Sequence, residues 1–254
     1  MTTDIVQHGL AFLKLALVVL SSLSFRKSFT PPRTPPFPAG RGWTEPQWMT
    51  IFLIRYVFPV LKIALEIASL NECLFTLCTS FPEISIPFGP HRASTSYCTH
   101  PPPNPPSNSS TIWSILSLSL VITGQHIRNA CYRAFNGTFT FDLRADSAKS
   151  TPLVTHGPYS IIRHPAYAGS WLIVLGIVGF HLSSGSWIYE RSSESSYPPF
   201  YMFVVGLWIM IVVAHMTMLT MHTRDEDELL RNHFGEKWEQ WRRIVKYKVV
   251  LGVY

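Results

Sequence analysis

The chain has 254 residues, 47% of them hydrophobic and only 14% charged. Soluble domains carry about 25% charged residues, so this composition argues for a bilayer protein. The formal net charge is +6, but the basic residues gather in particular loops, which points to membrane topology rather than to nucleic acid.

Residues 5–25 form the first apolar stretch, about long enough to span a bilayer. A secretory signal peptide would have a similar core. Asp4 precedes any Lys or Arg, however, and no A-x-A site follows, so an uncleaved span is expected. Residues 28–45 are rich in Pro, Arg and Gly and read as a loop. Residues 47–78 are mostly apolar but are interrupted by Arg55, Pro59, Lys62 and Glu66. A tilted or kinked helix is expected there, with Pro59 at the kink. Lys62 and Glu66 are spaced to pair on one helix face.

Residues 81–110 contain HPPPNPPSNSS, a low-complexity loop. A third apolar stretch covers 111–133, and a polar segment, 136–150, follows with a short alternating piece at 138–141. Residues 153–169 then read LVTHGPYSIIRHPAYAG. Two turns crowd polar and aromatic residues against the start of an apolar run. Arg163 and His164 side by side are costly if they face lipid, so they need a protein or ligand partner. Residues 166–182 and 200–221 supply the fourth and fifth apolar stretches, with a polar loop between them. The tail from His222 reads as an amphipathic helix, a break at Gly235 and a second short helix. Its Trp238, Trp241 and arginines suit a membrane interface.

The loops test this division. The first holds Arg26, Lys27, Arg33 and Arg41; the second holds only Arg92. The third holds Arg128, Arg133, Arg144, Lys149 and Arg163; the fourth holds only Arg191. The tail holds Arg224, Arg231, Lys237, Arg242, Arg243, Lys246 and Lys248. Heavy and light loops alternate as about five spans require, and the positive-inside rule puts the third loop and the tail in the cytosol. The expected fold is therefore an all-α integral membrane protein with a cytosolic amphipathic helical tail. Residues 1–110 hold the N-terminal spans and Pro-rich loops, and 111–254 form the core. Cys73, Cys78, Cys98 and Cys131 make no C-x-x-C pair and no zinc spacing, so no metal site is expected.

LVTHGPYSIIRHPAYAG, two apolar stretches and then E-x-x-x-L, FG, W and W resemble the isoprenylcysteine carboxyl methyltransferase family. The resemblance covers residues 111–250. It implies an endoplasmic reticulum membrane enzyme that uses S-adenosylmethionine to methylate the C-terminal carboxylate of prenylated proteins. Carried over position by position, the cofactor-binding residues are Thr151, Pro152, Leu153, Val154, Tyr159, His164, Pro165, Ala166, Tyr167 and Glu226. The family's paired acids become Glu226 and Asp227, and two family tyrosines become Trp238 and Trp241. A family arginine that handles the substrate carboxylate falls on His222, while Arg224 lies two residues before Glu226. Either His222 takes that role, or an irregular turn brings Arg224 in. Arg163 is a further candidate on the catalytic side, or else a topogenic anchor.

The chemistry is consistent with these parts. A carboxylate is already ionised at pH 7, so methyl transfer from a sulfonium needs alignment and a dry pocket rather than a strong base. Taken alone, 226–228 would read as a solvated helix N-terminus and the Trp pair as packing. Three competing functions stay open. One is a phospholipid or other lipid amine methyltransferase, with His222 as base. Another is a sterol reductase-like protein, which the long 153–169 match argues against, and the third is a non-catalytic scaffold of the same fold.

Overall fold

The computed structural model describes residues 2–30, 52–81, 108–135, 152–192, 198–250 and 252. Seven α-helices are described: α1 (Thr2–Ser28), α2 (Phe58–Ser80), α3 (Asn108–Ala134), α4 (Pro165–His181), α5 (Trp187–Ser192), α6 (Pro198–Phe234) and α7 (Glu236–Ile244). No strand occurs among the described residues. The expected extended piece at 138–141 and most of both Pro-rich loops lie outside them. Among the described residues, two helical stretches are long and apolar enough to cross a bilayer, Val6–Ser28 and Val205–Phe234, and Pro165–His181 is a shorter apolar helix. The helical membrane character stands, and two of the five expected spans meet that test.

The boundaries follow local chemistry. Pro59 can neither donate to the carbonyl of Arg55 nor tolerate it at helical distance. A π-helical turn, Leu53–Val57, runs into α2 at this point, widening the backbone where the ring needs room. Pro165 opens α4, where its missing N–H is no loss. The tail differs from expectation. Its first helix is not separate from the fifth apolar stretch: α6 is one helix of 37 residues. Between 207 and 234 the sequence has no Gly or Pro to break it. Gly235 ends it with φ 55, a left-handed conformation that glycine adopts without strain.

The chain divides into two compact units. The first comprises Met1–Ser24, Ile63–Ile122 and Val174–Met210. Val18, Leu118 and Phe180 form a core there with Leu17 and Cys73. Glu72 is wholly buried and pairs with Lys14 at 2.7 Å. Lys14 also donates to the Gly185 carbonyl at 2.9 Å, and the Trp187 N–H donates to Glu72 at 2.7 Å. Both ends of this buried pair are thus hydrogen-bonded, which such charges require. In the second unit, Lys62 donates to Thr30 Oγ1 at 2.8 Å. Cys78 is buried and disulfide-bonded.

The second unit comprises Phe25–Lys62, Thr123–Ile173 and Ile211–Tyr254. Its core is Cys131, Val154, Tyr159, Trp238, Trp241 and Val245, flanked by Leu153, Phe135, Leu230 and Phe234. The packing reading of the Trp pair holds, with Trp238 2% and Trp241 7% exposed. Here α3 and α4 approach closely: a Cβ on Gly169 would lie 2.8 Å from the Gly124 carbonyl oxygen.

Candidate functional site

The candidate site lies within the second unit and begins with backbone. Pro152–Thr155 is irregular chain, followed by a 3-10 turn, Gly157–Ser160, that Gly157 enters at φ 62. The Trp241 indole N–H donates to the Tyr159 carbonyl at 3.1 Å, so the tail core holds this turn. The next residues are held from further along the chain. The Arg163 N–H donates to the Tyr247 carbonyl at 2.9 Å, and the His164 N–H donates to the Lys248 carbonyl at 2.7 Å. The His164 carbonyl in turn accepts the Tyr167 and Ala168 N–H groups and starts α4.

Side chains then converge. The His164 ring, 3% exposed, lies between two carboxylates: Nδ1 is 3.3 Å from Glu226 Oε2, and Nε2 is 3.0 Å from Asp227 Oδ1. Asp227 also meets Lys248 Nζ at 3.3 Å and Arg163 at 3.5 Å. Burial works against a charged imidazole, but Glu226 and Asp227 outweigh it and push the His164 pKa up to about 9. His164 is therefore an imidazolium at neutral pH. A cation at a helix N-terminus is otherwise unfavourable, and the two carboxylates offset it.

Glu226 keeps 27% of its side chain accessible, although Oε2 itself is buried against His164. Tyr167 packs edge-on to His164 at 5.8 Å and interacts with Glu226 through its hydroxyl. His222 sits one helical turn before Glu226, on the same face of α6. It is buried, its Nδ1 lies 3.4 Å from Asp225, and its buried Nε2 has no hydrogen-bond partner among the described residues. Arg224 is exposed, and α6 is regular through this stretch, so no irregular turn brings it inward.

The structure therefore brings His164, Glu226, Tyr167 and Arg163 together, with His222 a turn away. Pro165 is fully buried beneath them. Leu153, Val154, Tyr159 and Ala166 lie along the same segment, but their side chains pack in or against the tryptophan core. Val154 and Tyr159 are buried there, while Leu153 and Ala166 are partly buried. Pro152 is exposed, and Thr151 lies outside the described residues. Residues 226–228 are not a solvated helix start. They lie deep within α6, and Asp227 is buried among three cations.

Arg128 went unnoticed in the sequence except as a loop charge. It is 3% exposed and donates to the Ala166 carbonyl at 3.0 Å and to Ser170 Oγ, fixing the first turn of α4. It also donates to the Ser28 carbonyl at 2.7 Å and to the Tyr132 hydroxyl at 2.6 Å. An arginine inside an apolar run, four residues before a tyrosine, was the available signal.

Comparison with known proteins gives a family-level match. Residues 112–189 match the family model described as phospholipid methyltransferase, which covers the isoprenylcysteine carboxyl methyltransferases. The resemblance read from the sequence stands at that level; the matched region includes His164 and stops short of Glu226. Among curated proteins, the chain is similar to the Delta(14)-sterol reductase erg24 of Schizosaccharomyces pombe, 27% identical over 107 residues. That alignment covers 42% of this chain and 20% of the reductase. A Delta(14)-sterol reductase of Neurospora crassa is 26% identical over 121 residues, covering 40% of this chain and 23% of the relative. The chain thus spans about a fifth of the length of these relatives. No solved structure matches at the same level of significance.

Proposed function

We propose that this chain is a membrane methyltransferase that methylates the C-terminal carboxylate of prenylated cysteine using S-adenosylmethionine. The observation that carries the reading is the contact of His164 with Glu226 at 3.3 Å. It joins the 153–169 motif to the acidic motif of the tail, the two blocks on which the family resemblance rests.

The residues fit such a cofactor. It is cationic at its ammonium and sulfonium, and the site offers a partly accessible carboxylate, Glu226, beside an aromatic ring, Tyr167. Glu226 would accept from the ammonium, and the backbone of 152–155 would face the rest of the molecule. When bound, S-adenosylmethionine supplies an electrophilic methyl group whose bond to sulfur breaks as the bond to the acceptor oxygen forms.

This chain's residues do the remaining work. His222 Nε2, buried and unpartnered among the described residues, would donate to one oxygen of the substrate carboxylate. Arg224 is the weaker alternative because it is exposed. Arg163 is engaged with Asp227 and the Val245 carbonyl, so it acts as a positioning residue rather than a substrate contact. The imidazolium of His164 fixes Glu226 in place. No general base is needed, since the acceptor is already ionised, and exclusion of water favours a step in which opposite charges cancel.

The reading carries an endoplasmic reticulum location with the site on the cytosolic side. The loop charges support that orientation, as does the disulfide at Cys78, near the end of α2, because disulfides persist on the oxidising side. A second reading, methylation of a lipid amine, is favoured by the family model's own description; His222 would then take the amine proton.

Membranes containing the chain, incubated with labelled S-adenosylmethionine and farnesylcysteine analogues, test the proposal. A base-labile methyl ester is the expected product. Label in phosphatidylethanolamine supports the second reading. Bound cofactor with no transfer to either acceptor leaves a non-catalytic scaffold and overturns both.

A further inference from the structure

The segment after α7 has two unlike sides. Val245 and Val249 are buried, and the carbonyls of Tyr247 and Lys248 hold the Arg163 and His164 N–H groups. Before, between and after the two valines, Ile244 is 80% exposed, Tyr247 39% and Val250 52%. Arg243 and Lys246 are exposed beside them, and residues 242–250 include no acid.

The depth of this segment follows from its hydrogen bonds. Arg163 and His164 immediately precede α4, whose sequence from Pro165 is almost wholly apolar. A segment bonded to the residues just before an apolar helix sits at the level where that helix leaves the hydrocarbon. Exposed Ile, Tyr and Val alternating with Arg and Lys at that level match a layer of acyl chains and anionic headgroups. We infer that residues 243–250 form an interfacial strap. Its outer side binds the anionic phospholipid surface of the membrane that holds the chain, and its inner backbone thereby tightens Arg163 and His164. The inference does not depend on which acceptor the site methylates.

The test uses the full chain in nanodiscs of phosphatidylcholine alone or of phosphatidylcholine with phosphatidylserine. Amide hydrogen exchange is followed at 163–164 and 245–250. Each cation near an anionic surface contributes about 1 kcal/mol, so Arg243 and Lys246 together predict up to roughly thirtyfold slower exchange with phosphatidylserine. High salt reverses the effect, and the double substitution R243Q/K246Q abolishes it. Both side chains are exposed, so the fold tolerates that change; I244Q, which removes only the apolar anchor, gives a partial loss. Equal exchange in both lipids, or an unchanged response in R243Q/K246Q, overturns the inference. So does protection that appears only on adding a prenylated peptide, regardless of lipid, which would assign the surface to a protein.

Discussion

His164 Nε2 and Asp227 Oδ1 meet at 3.0 Å across 63 positions of sequence. This contact, rather than either acid's exposure, fixes the imidazole that Glu226 leans on. Asp227 gathers Arg163, His164 and Lys248 around one buried carboxylate.

Asp227→Ala removes the shared counter-ion of three cations. Breaking a buried ion pair costs about 3–5 kcal/mol, so thermal unfolding in detergent should show a large loss for Asp227→Ala. Glu228→Ala, one residue on and exposed, should lie within about 0.5 kcal/mol of the parent. Equal effects at the two positions would remove Asp227 from the centre of the site.

Stability should depend on pH through His164. Its folded pKa is raised from 6.5 to about 9, so the folded state holds the proton more tightly than the unfolded chain. The stabilisation is fully present below pH 6.5 and is lost as pH rises through about 9. It amounts to a few kcal/mol. Melting temperatures of the parent should fall across that window, and those of His164→Gln should be lower and flatter. A parent profile as flat as that of His164→Gln would mean that the imidazole is neutral.

His222→Ala and Arg224→Ala separate the two candidate substrate contacts. Losing a hydrogen bond to a charged group costs about 1.5–3 kcal/mol. His222→Ala should therefore lower kcat/KM for a farnesylcysteine substrate by roughly ten- to a hundredfold, with binding of S-adenosylmethionine retained. Arg224→Ala should change it about twofold or less. The reverse ranking would return the role to Arg224.

Gly124→Ala places a methyl group against the Gly169 carbonyl and the Ile173 side chain. Backbone cannot yield as a side-chain tip does, so overpacking of about 1–3 kcal/mol is expected. Gly206→Ala, with open space around it, is the control and should be neutral or slightly stabilising.

In the first unit, Lys14→Met leaves Glu72 as an unpaired charge with no exposure. The double substitution Lys14→Met, Glu72→Gln should be more stable than Lys14→Met alone, because the stranded charge is gone. Thermal unfolding of the two variants decides this; a double variant less stable than the single would show that the pair is not coupled.

The segment 153–169 was legible because turn residues, an Arg-His pair and an apolar run are local signals. The continuity of α6 was partly legible. Its polar end looked like a new helix, although no breaker stands between 207 and 234. The contacts of Arg128, Lys14 and Glu72 were not legible because charge alone does not say which residue a side chain meets. Arg128 resembles any topogenic arginine until Ser28, Ala166 and Ser170 surround it. Leu153, Val154 and Tyr159, which the resemblance gives as cofactor contacts, place their side chains in or against the core of Trp238 and Trp241, a long-range packing contact that no local signal announces.

The hydrogen bonds that Arg163 and His164 donate to the carbonyls of Val245, Tyr247 and Lys248 also set an order of events during synthesis. Arg163 and the Val245 carbonyl it reaches are separated by 82 positions. At about 5–20 residues per second, a nascent chain carries Arg163 and His164 for about 4 to 16 s before their partners are made. During that interval their N–H groups must bond to water, so this turn has to wait at the aqueous surface while α6 is being threaded into the bilayer. Completion of the site therefore waits for residues 245–248, and a ribosome stalled before residue 245 would leave a chain with α1 to α7 made and its polar turn still open.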